Sequence, residues 1–442
     1  MFQNASLPDA MIPRSILFIN RVYPPAEGAT GQLLEELAEA LVKRGWNVTV
    51  VTGGTGAVAA RSETVRGVRV ERVGGLAFSR ANHLRRLFSY LSLYPALLWR
   101  ALRMPRADVV VTLTDPPLQL LLGPIIRALK GSRLVHWAQD IYPELAEELD
   151  VLQRGGLIAG TLRWLSTWAL RRGERVIAVG RCMKRRLMER GIAADRIAVI
   201  PNWGHAGGRD CAGPDDGNAF RREHNLNGRF VVMYSGNLGL AHPFEAILDA
   251  ADRLRAGLPQ VLFLFVGDGP RLPWVREQAE RRGLSNVRFL PFQPKARLPE
   301  SLAAADLHLA TMRHELCGLV VPSKVYGVLA AGRPCVFLGP AESEAAQIIR
   351  QNGCGSVLVN STGARLASCL TLWATNSAQL EEAGDRAADL ADSIGLRTAV
   401  SAFETVLNGA VNSEAILLPE SMAVLCPEKT SSLRSVFRST GV

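Results

Sequence analysis

Apolar residues along this chain recur in two alternating patterns: short unbroken runs, and longer stretches in which they return every three or four positions. Residues 15–20 (SILFIN) form the first run, followed by the Pro/Gly-rich segment YPPAEGATG. Residues 32–44 then set Leu33, Leu34, Leu37, Ala40 and Leu41 on one face of a helix. Gly45 closes that helix and residues 47–52 (NVTVVT) give a second strand, so the chain opens as a strand, helix and parallel strand. Further runs suited to burial on both faces fall at 108–112, 133–138, 175–179 and 197–200, with helical stretches between them. They predict an open parallel sheet over residues 1–203.

Residues 204–228, GHAGGRDCAGPDDGNAFRREHNLNG, are rich in Gly, Asp and Asn and poor in apolar side chains, which marks a linker. The alternation then resumes. Strands are expected at 230–234, 261–266, 287–290 and 307–310, with helices at 243–256, 272–282 and 298–304. This second unit is assigned to residues 229–410. From 411 to 442 the periodicity weakens and Ser and Glu accumulate, so a tail that is poorly ordered in part is expected. The pattern predicts two doubly wound α/β domains.

Length and composition agree with that division. A chain of 442 residues, 48% hydrophobic and 21% charged, exceeds what one core usually holds and has too few charges for general disorder. Its seven cysteines are odd in number, scattered and never spaced Cys-x-x-Cys, which argues against a disulfide framework or zinc site and suits a reducing cytosol. No secretory signal and no apolar run long enough to span a membrane are found. The net charge of +10 is uneven, with 28 Lys+Arg against 17 Asp+Glu in residues 1–203. No nucleic-acid-binding signature accompanies it. Arg80, Arg85, Arg86, Arg100, Arg103 and Arg106 bracket LFSYLSLYPALLW, and Arg163, Arg171 and Arg172 surround WLSTWAL. An interfacial helix on an anionic membrane and a core helix with a solvated rim explain these segments equally well.

Candidate chemistry sits in the loops that follow strands, where open α/β sheets collect ligands. In 23–31, Gly28 and Gly31 permit close backbone approach at a helix start, or simply a tight turn. The pattern is not GxGxxG, so a nicotinamide or flavin gains little support. Gly236 and Asn237 in YSGNLG, and Gly267 in VGDGP, occupy equivalent positions in the second unit, although both are strong turn signals in any protein. The most informative stretch is HELCGLVVPSKVY, residues 314–326. Glu315 can accept hydrogen bonds from sugar hydroxyls, while exposed amides at Gly318, Leu319 and Val320 and the cation of Lys324 can hold a diphosphate. A helix cap followed by a solvated lysine is the plainer alternative.

Taken together, YPPAEGATGQLLEELAEALVKRGWNVTVVT, LVHWAQDIYPELAEELDVL, YSGNLGLAHPFEAILDAA, FLFVGDGP and GLVVPSKVYGVLAAGRPCV resemble the GT-B fold glycosyltransferases of family 4. The subgroup in view builds bacterial exopolysaccharide, colanic acid and O-antigen. The resemblance covers residues 16 to about 400 and implies two Rossmann-like domains whose parallel sheets face a central cleft. It further implies a retaining transfer from a UDP-linked sugar to a polyprenyl-diphosphate-linked acceptor, with no metal or other cofactor, at the inner face of the cytoplasmic membrane. Of the family's carboxylate pair, eight positions apart, only Glu315 is present; Ser323 stands at the second. Its phosphate-binding Arg and Lys correspond to Asn237 and His242, leaving Lys324 to carry the positive charge. Its acceptor-side histidine corresponds to Gln139; Asp140 next to it becomes the catalytic candidate beside Glu315, with helix capping its alternative, and His136 is read as scaffold. The implied donor site is Gly28, Gly236, Asn237, His242, Gly267, Phe292, Glu315, Gly318, Leu319, Val320, Ser323 and Lys324. Two rivals stay open: a nucleotide-sugar epimerase on the same fold, and a catalytically silent scaffold of a polysaccharide assembly complex.

Overall fold

The computed structural model describes residues 14–26, 28–54, 61–74, 83–204 and 217–412, with side chains in the helix starting at His83 described from residue 89 onward. The expected tail beyond 412, Arg80 and most of the linker (205–216) lie outside these residues. Two sheets form. The first contains β1 (Ser15–Ile19), β2 (Asn47–Gly53), β3 (Arg61–Val65), β4 (Val68–Val73), β5 (Val109–Thr112), β6 (Arg133–Ala138), β7 (Arg175–Ala178) and β8 (Ile197–Val199), in the order β3-β4-β2-β1-β5-β6-β7-β8. The second contains β9 (Phe230–Ser235), β10 (Val261–Val266), β11 (Val287–Leu290), β12 (Leu307–Thr311), β13 (Cys335–Leu338) and β14 (Gly355–Leu358), in the order β11-β10-β9-β12-β13-β14. Every pairing is parallel except β3 with β4.

The apolar runs become central strands because helices cover both sheet faces. Helix Ala29–Lys43 buries Leu33, Leu34, Leu37, Ala38 and Leu41 against the first sheet, close to the predicted face. Strands β3 and β4 escape the pattern because Arg and Glu interrupt it. Glu71 of β4 is nevertheless fully buried, held by Arg69, Arg100 and Ser62. Within the expected linker, Asn218 caps the short helix Ala219–Glu223.

The chain does not stay in the second unit to residue 410. Helix Leu396–Asn412 returns to the first, where Phe403 meets Trp137 at 4.8 Å between ring centroids and Glu404 accepts from Trp46 at 3.1 Å. Strand order reverses between β1 and β5 in one sheet and between β9 and β12 in the other. Loops leaving those strands border the crevice in which such sheets bind ligands. The two units meet along it: Ile141 donates its amide proton to the Leu319 carbonyl at 2.8 Å, and Lys295 pairs with Glu35 at 2.8 Å.

Candidate active site

The wall contributed by the second domain is built around Tyr234, near the end of the buried strand β9. The Lys324 ammonium stands 3.7 Å from the centre of the Tyr234 ring and donates to its hydroxyl. That hydroxyl donates in turn to the Asn237 carbonyl at 3.0 Å. His242 lies beside the same ring, and its Nδ1–H donates to the Thr311 carbonyl at 2.5 Å. Burial lowers the Lys324 pKa to about 7. It lowers that of His242 to about 3, helped by the charge of Lys324, so this imidazole is neutral and Nε2 is its acceptor. Two glycines make room for the stack. Gly267 has φ +143 and a Cβ there would fall 2.1 Å from the Gly236 carbonyl oxygen; Gly236 itself has φ +122 and faces the Lys324 ammonium.

Glu315 lies in a short turn, half exposed, 3.6 Å from the Arg313 guanidinium. Gly318 has φ +79 and packs against helix Arg181–Glu189 of the first domain, so that a Cβ would sit 2.6 Å from the Cys182 carbonyl oxygen. This glycine is therefore explained by the close approach of two domains. The expected row of exposed amides is corrected in part: Leu319 and Val320 donate to the Leu316 carbonyl at 3.0 and 3.4 Å, because the chain turns tightly there. Ser323 starts helix Lys324–Ala330 without capping it through its side chain. Gly28 starts helix Ala29–Lys43, and its missing side chain leaves space for Val22, 3.0 Å from where a Cβ would be, as a tight turn requires. Phe292 stands half exposed on the loop after β11, two strands from β9.

On the opposite wall Asp140 follows β6, and its backbone bridges to Val320. The structure thus joins the acceptor-side candidate to the loop that carries Glu315. Burial raises the Asp140 carboxyl to about 7, with Asp115 adding to the shift, and among the described residues its side chain has no hydrogen-bond or ion-pair partner. It does not cap the following helix, which starts from Pro143. Gln139 exchanges two hydrogen bonds with Asn202, at 2.9 and 3.0 Å, and so is tied into the scaffold. His136 contacts Thr112 Oγ1 at 3.0 Å, and burial lowers it to about 4, as befits a neutral scaffold residue. Sequence reasoning passed over Tyr234; an aromatic closing a buried strand one residue short of the Ser-Gly turn was the available signal.

Residues 28–203 match the family described as the glycosyl transferase 4-like domain, and residues 216–389 match glycosyl transferases group 1. Among curated proteins, the chain is 29% identical over 265 residues to WcaI of Escherichia coli K12, named a colanic acid biosynthesis glycosyl transferase, covering 59% of this chain and 64% of that one. It is 28% identical over 258 residues to WbjE of Pseudomonas aeruginosa, named a glycosyltransferase, covering 57% and 62%. The chain thus matches somewhat under two thirds of the length of either relative. Among solved structures, Anabaena HepE in complex with UDP and glucose superposes with a TM-score of 0.68 at 19% identity, covering 90% of this chain and 100% of that one. WaaG, a glycosyltransferase involved in lipopolysaccharide biosynthesis, superposes with 0.63 at 18%, covering 89% and 100%.

Proposed function

The chain belongs to the glycosyl transferases that these two families describe, on the two-domain GT-B fold, and from that premise we propose that it moves a sugar from a UDP-linked donor onto a lipid-linked saccharide during surface polysaccharide biosynthesis. The carrying observation is the meeting of unlike walls across one cleft: a lysine on a tyrosine ring from one domain, and an unpartnered carboxyl main-chain-bridged to the Glu315 loop from the other. The UDP held by HepE and the polysaccharide roles in the names of WcaI and WaaG support this reading.

In this proposal Lys324 faces the diphosphate, where an anion would restore the positive charge that burial disfavours. Glu315 accepts from the sugar hydroxyls and Asp140 lines the acceptor side. The bond from the anomeric carbon to the diphosphate oxygen breaks as the acceptor oxygen attacks from the same face, and the leaving diphosphate takes the acceptor hydroxyl's proton, so configuration is retained. Domain closure excludes water. The nucleotide sugar is a substrate, and neither a metal nor another cofactor takes part.

The acceptor is proposed to be a polyprenyl-diphosphate-linked sugar, reached from the inner face of the cytoplasmic membrane. Among the described residues no helix is long and apolar enough to cross a membrane. Helices His83–Arg103, Leu122–Lys130 and Leu157–Arg172 pack side by side and expose Trp99, Leu129, Leu157, Ile158 and Trp164, with Leu157 93% exposed and the Arg103 guanidinium 4.3 Å from the Trp99 ring. That surface suits an anionic lipid interface. Two arginines of the expected rim turn inward instead: Arg100 to Glu71, and Arg163 to Glu144 and Glu147, because those carboxylates are more buried. Side chains of Arg85 and Arg86 lie outside the described ones.

An assay of UDP release with membrane lipid extract tests the proposal. Release that requires the extract supports transfer. Conversion of the donor without any acceptor favours the epimerase, and absence of UDP binding by calorimetry favours the silent scaffold.

A further inference from the structure

The interface between the domains contains a pair of thiols that glycosyl transfer does not use. Cys182 occupies the first turn of helix Arg181–Glu189 in the first domain, and Cys317 lies in the turn between Glu315 and Gly318 in the second. The backbones that carry them touch across the interface, where a Cβ on Gly318 would fall 2.6 Å from the Cys182 carbonyl oxygen, and each thiol is the strongest influence on the other's ionisation. The segments around them are held in register. Arg186 donates to the Cys317 carbonyl at 3.2 Å. Glu344 of the second domain accepts from the Arg181 amide at 2.5 Å and from its guanidinium at 3.1 Å. Gly318 has no side chain to separate the two backbones. Cys182 is buried, whereas Cys317 is partly exposed.

We propose that Cys182 and Cys317 form a reversible disulfide that fastens the two domains together at the floor of the cleft. Chemistry assigns the two sulfurs different parts. The neighbouring Cys182 thiol and the Arg185 and Arg186 guanidiniums hold the Cys317 thiol below its ordinary range, while Cys317 and burial push the Cys182 thiol up. Cys317, the more acidic and the more accessible of the two, is therefore the attacking sulfur, and Cys182 the resolving thiol. With a hydroperoxide as oxidant, the Cys317 sulfur attacks one peroxide oxygen, the O–O bond breaks, and a sulfenic acid forms as hydroxide leaves and takes up a proton. The Cys182 sulfur then attacks the sulfenic sulfur and its proton leaves with the hydroxyl as water. Two thiols lose two electrons, and one hydrogen peroxide becomes two waters.

A covalent tie here fixes the turn carrying Glu315 against the first domain. It opposes the opening by which a two-domain enzyme exchanges substrate and product. The modification does not depend on which sugar is transferred, and it is detectable in a protein with no transferase activity.

The full chain, purified in reductant and then freed of it, is treated with micromolar hydrogen peroxide and digested with trypsin without reduction. The expected product is a cross-linked peptide joining residues 182–184 to residues 314–324. The oxidised protein is expected to melt at a higher temperature and to lose turnover several-fold, with both changes reversed by dithiothreitol. Cys182→Ala and Cys317→Ser should each abolish the cross-link and the thermal shift. Absence of that peptide from the folded, peroxide-treated wild type overturns the proposal, as does a cross-link formed in high yield that leaves melting and turnover unchanged. If acceptor-dependent UDP release is never observed, the peptide and the thermal shift still decide the matter.

Discussion

The two walls of the cleft carry groups of opposite sign that burial drives to the same end. On the first domain Asp140 rises to about 7; on the second Lys324 falls to about 7. In each case loss of water disfavours the charged form. Their surroundings differ. Lys324 rests on a phenol ring and beside a neutral imidazole, whereas the charged group nearest in influence to Asp140 is another carboxylate, Asp115. An arriving anion raises both pKa values, which charges the lysine but discharges the aspartate. That contrast is what the proposed function uses when it gives the diphosphate to the second domain and not to the first.

The largest expected effect separates the walls directly. Asp140→Asn should reduce turnover by about 100-fold while UDP affinity stays within about twofold, since a slight misplacement of the acceptor costs roughly that much. A parallel loss of UDP affinity, measured by calorimetry, would move Asp140 to the donor side and erase the contrast.

Lys324→Ala should weaken UDP binding by about tenfold, the scale of one charge-assisted contact. The pH dependence has a definite sign. Because bound diphosphate raises the lysine pKa from about 7, UDP affinity is greatest below pH 7 and falls as pH rises through it, until the pKa of the complex is passed. Calorimetry at pH 8 in two buffers of unlike ionisation heat should therefore show net proton uptake in the wild type, lost in the variant. No uptake in either protein would mean that Lys324 does not meet the phosphates.

Tyr234→Phe keeps the ring beneath the ammonium and removes only the hydroxyl, so UDP affinity should drop about fivefold, the equivalent of one hydrogen bond of about 1 kcal/mol. An unchanged affinity would reduce the contribution of this tyrosine to packing alone.

Away from the cleft, Arg103→Gln should weaken co-sedimentation with acidic vesicles at low salt by about 1 kcal/mol, with binding released as screening rises. Wild-type protein that ignores such vesicles would confine the first domain's role to the cleft and refute membrane docking.

Legibility in the sequence followed the strength of the local signal. Central strands such as SILFI and VLFLFV are apolar on both faces and stand out wherever they occur. Strands β3 and β4, with RSETV and VRVERV, were hidden because their arginines and glutamates pair within the fold. Lys324 could be suspected from its motif. Its ring partner Tyr234 could not, because ninety residues separate them and only the β9 to β12 adjacency brings the loops together.

By itself, then, the sequence determined the two alternating α/β units, the positions of the loops that follow their strands, and the inventory of groups those loops offer, since periodicity and turn chemistry act over a few residues. Tertiary structure decided which of those groups meet. It returned helix Leu396–Asn412 to the first domain, spent Arg100 and Arg163 on buried carboxylates, bonded the Leu319 and Val320 amides within their own turn, and set Asp140 against Val320 and Cys182 against the turn that carries Gly318. Each of these outcomes depends on how much water a group loses and what replaces it, and that is fixed only when distant segments pack together.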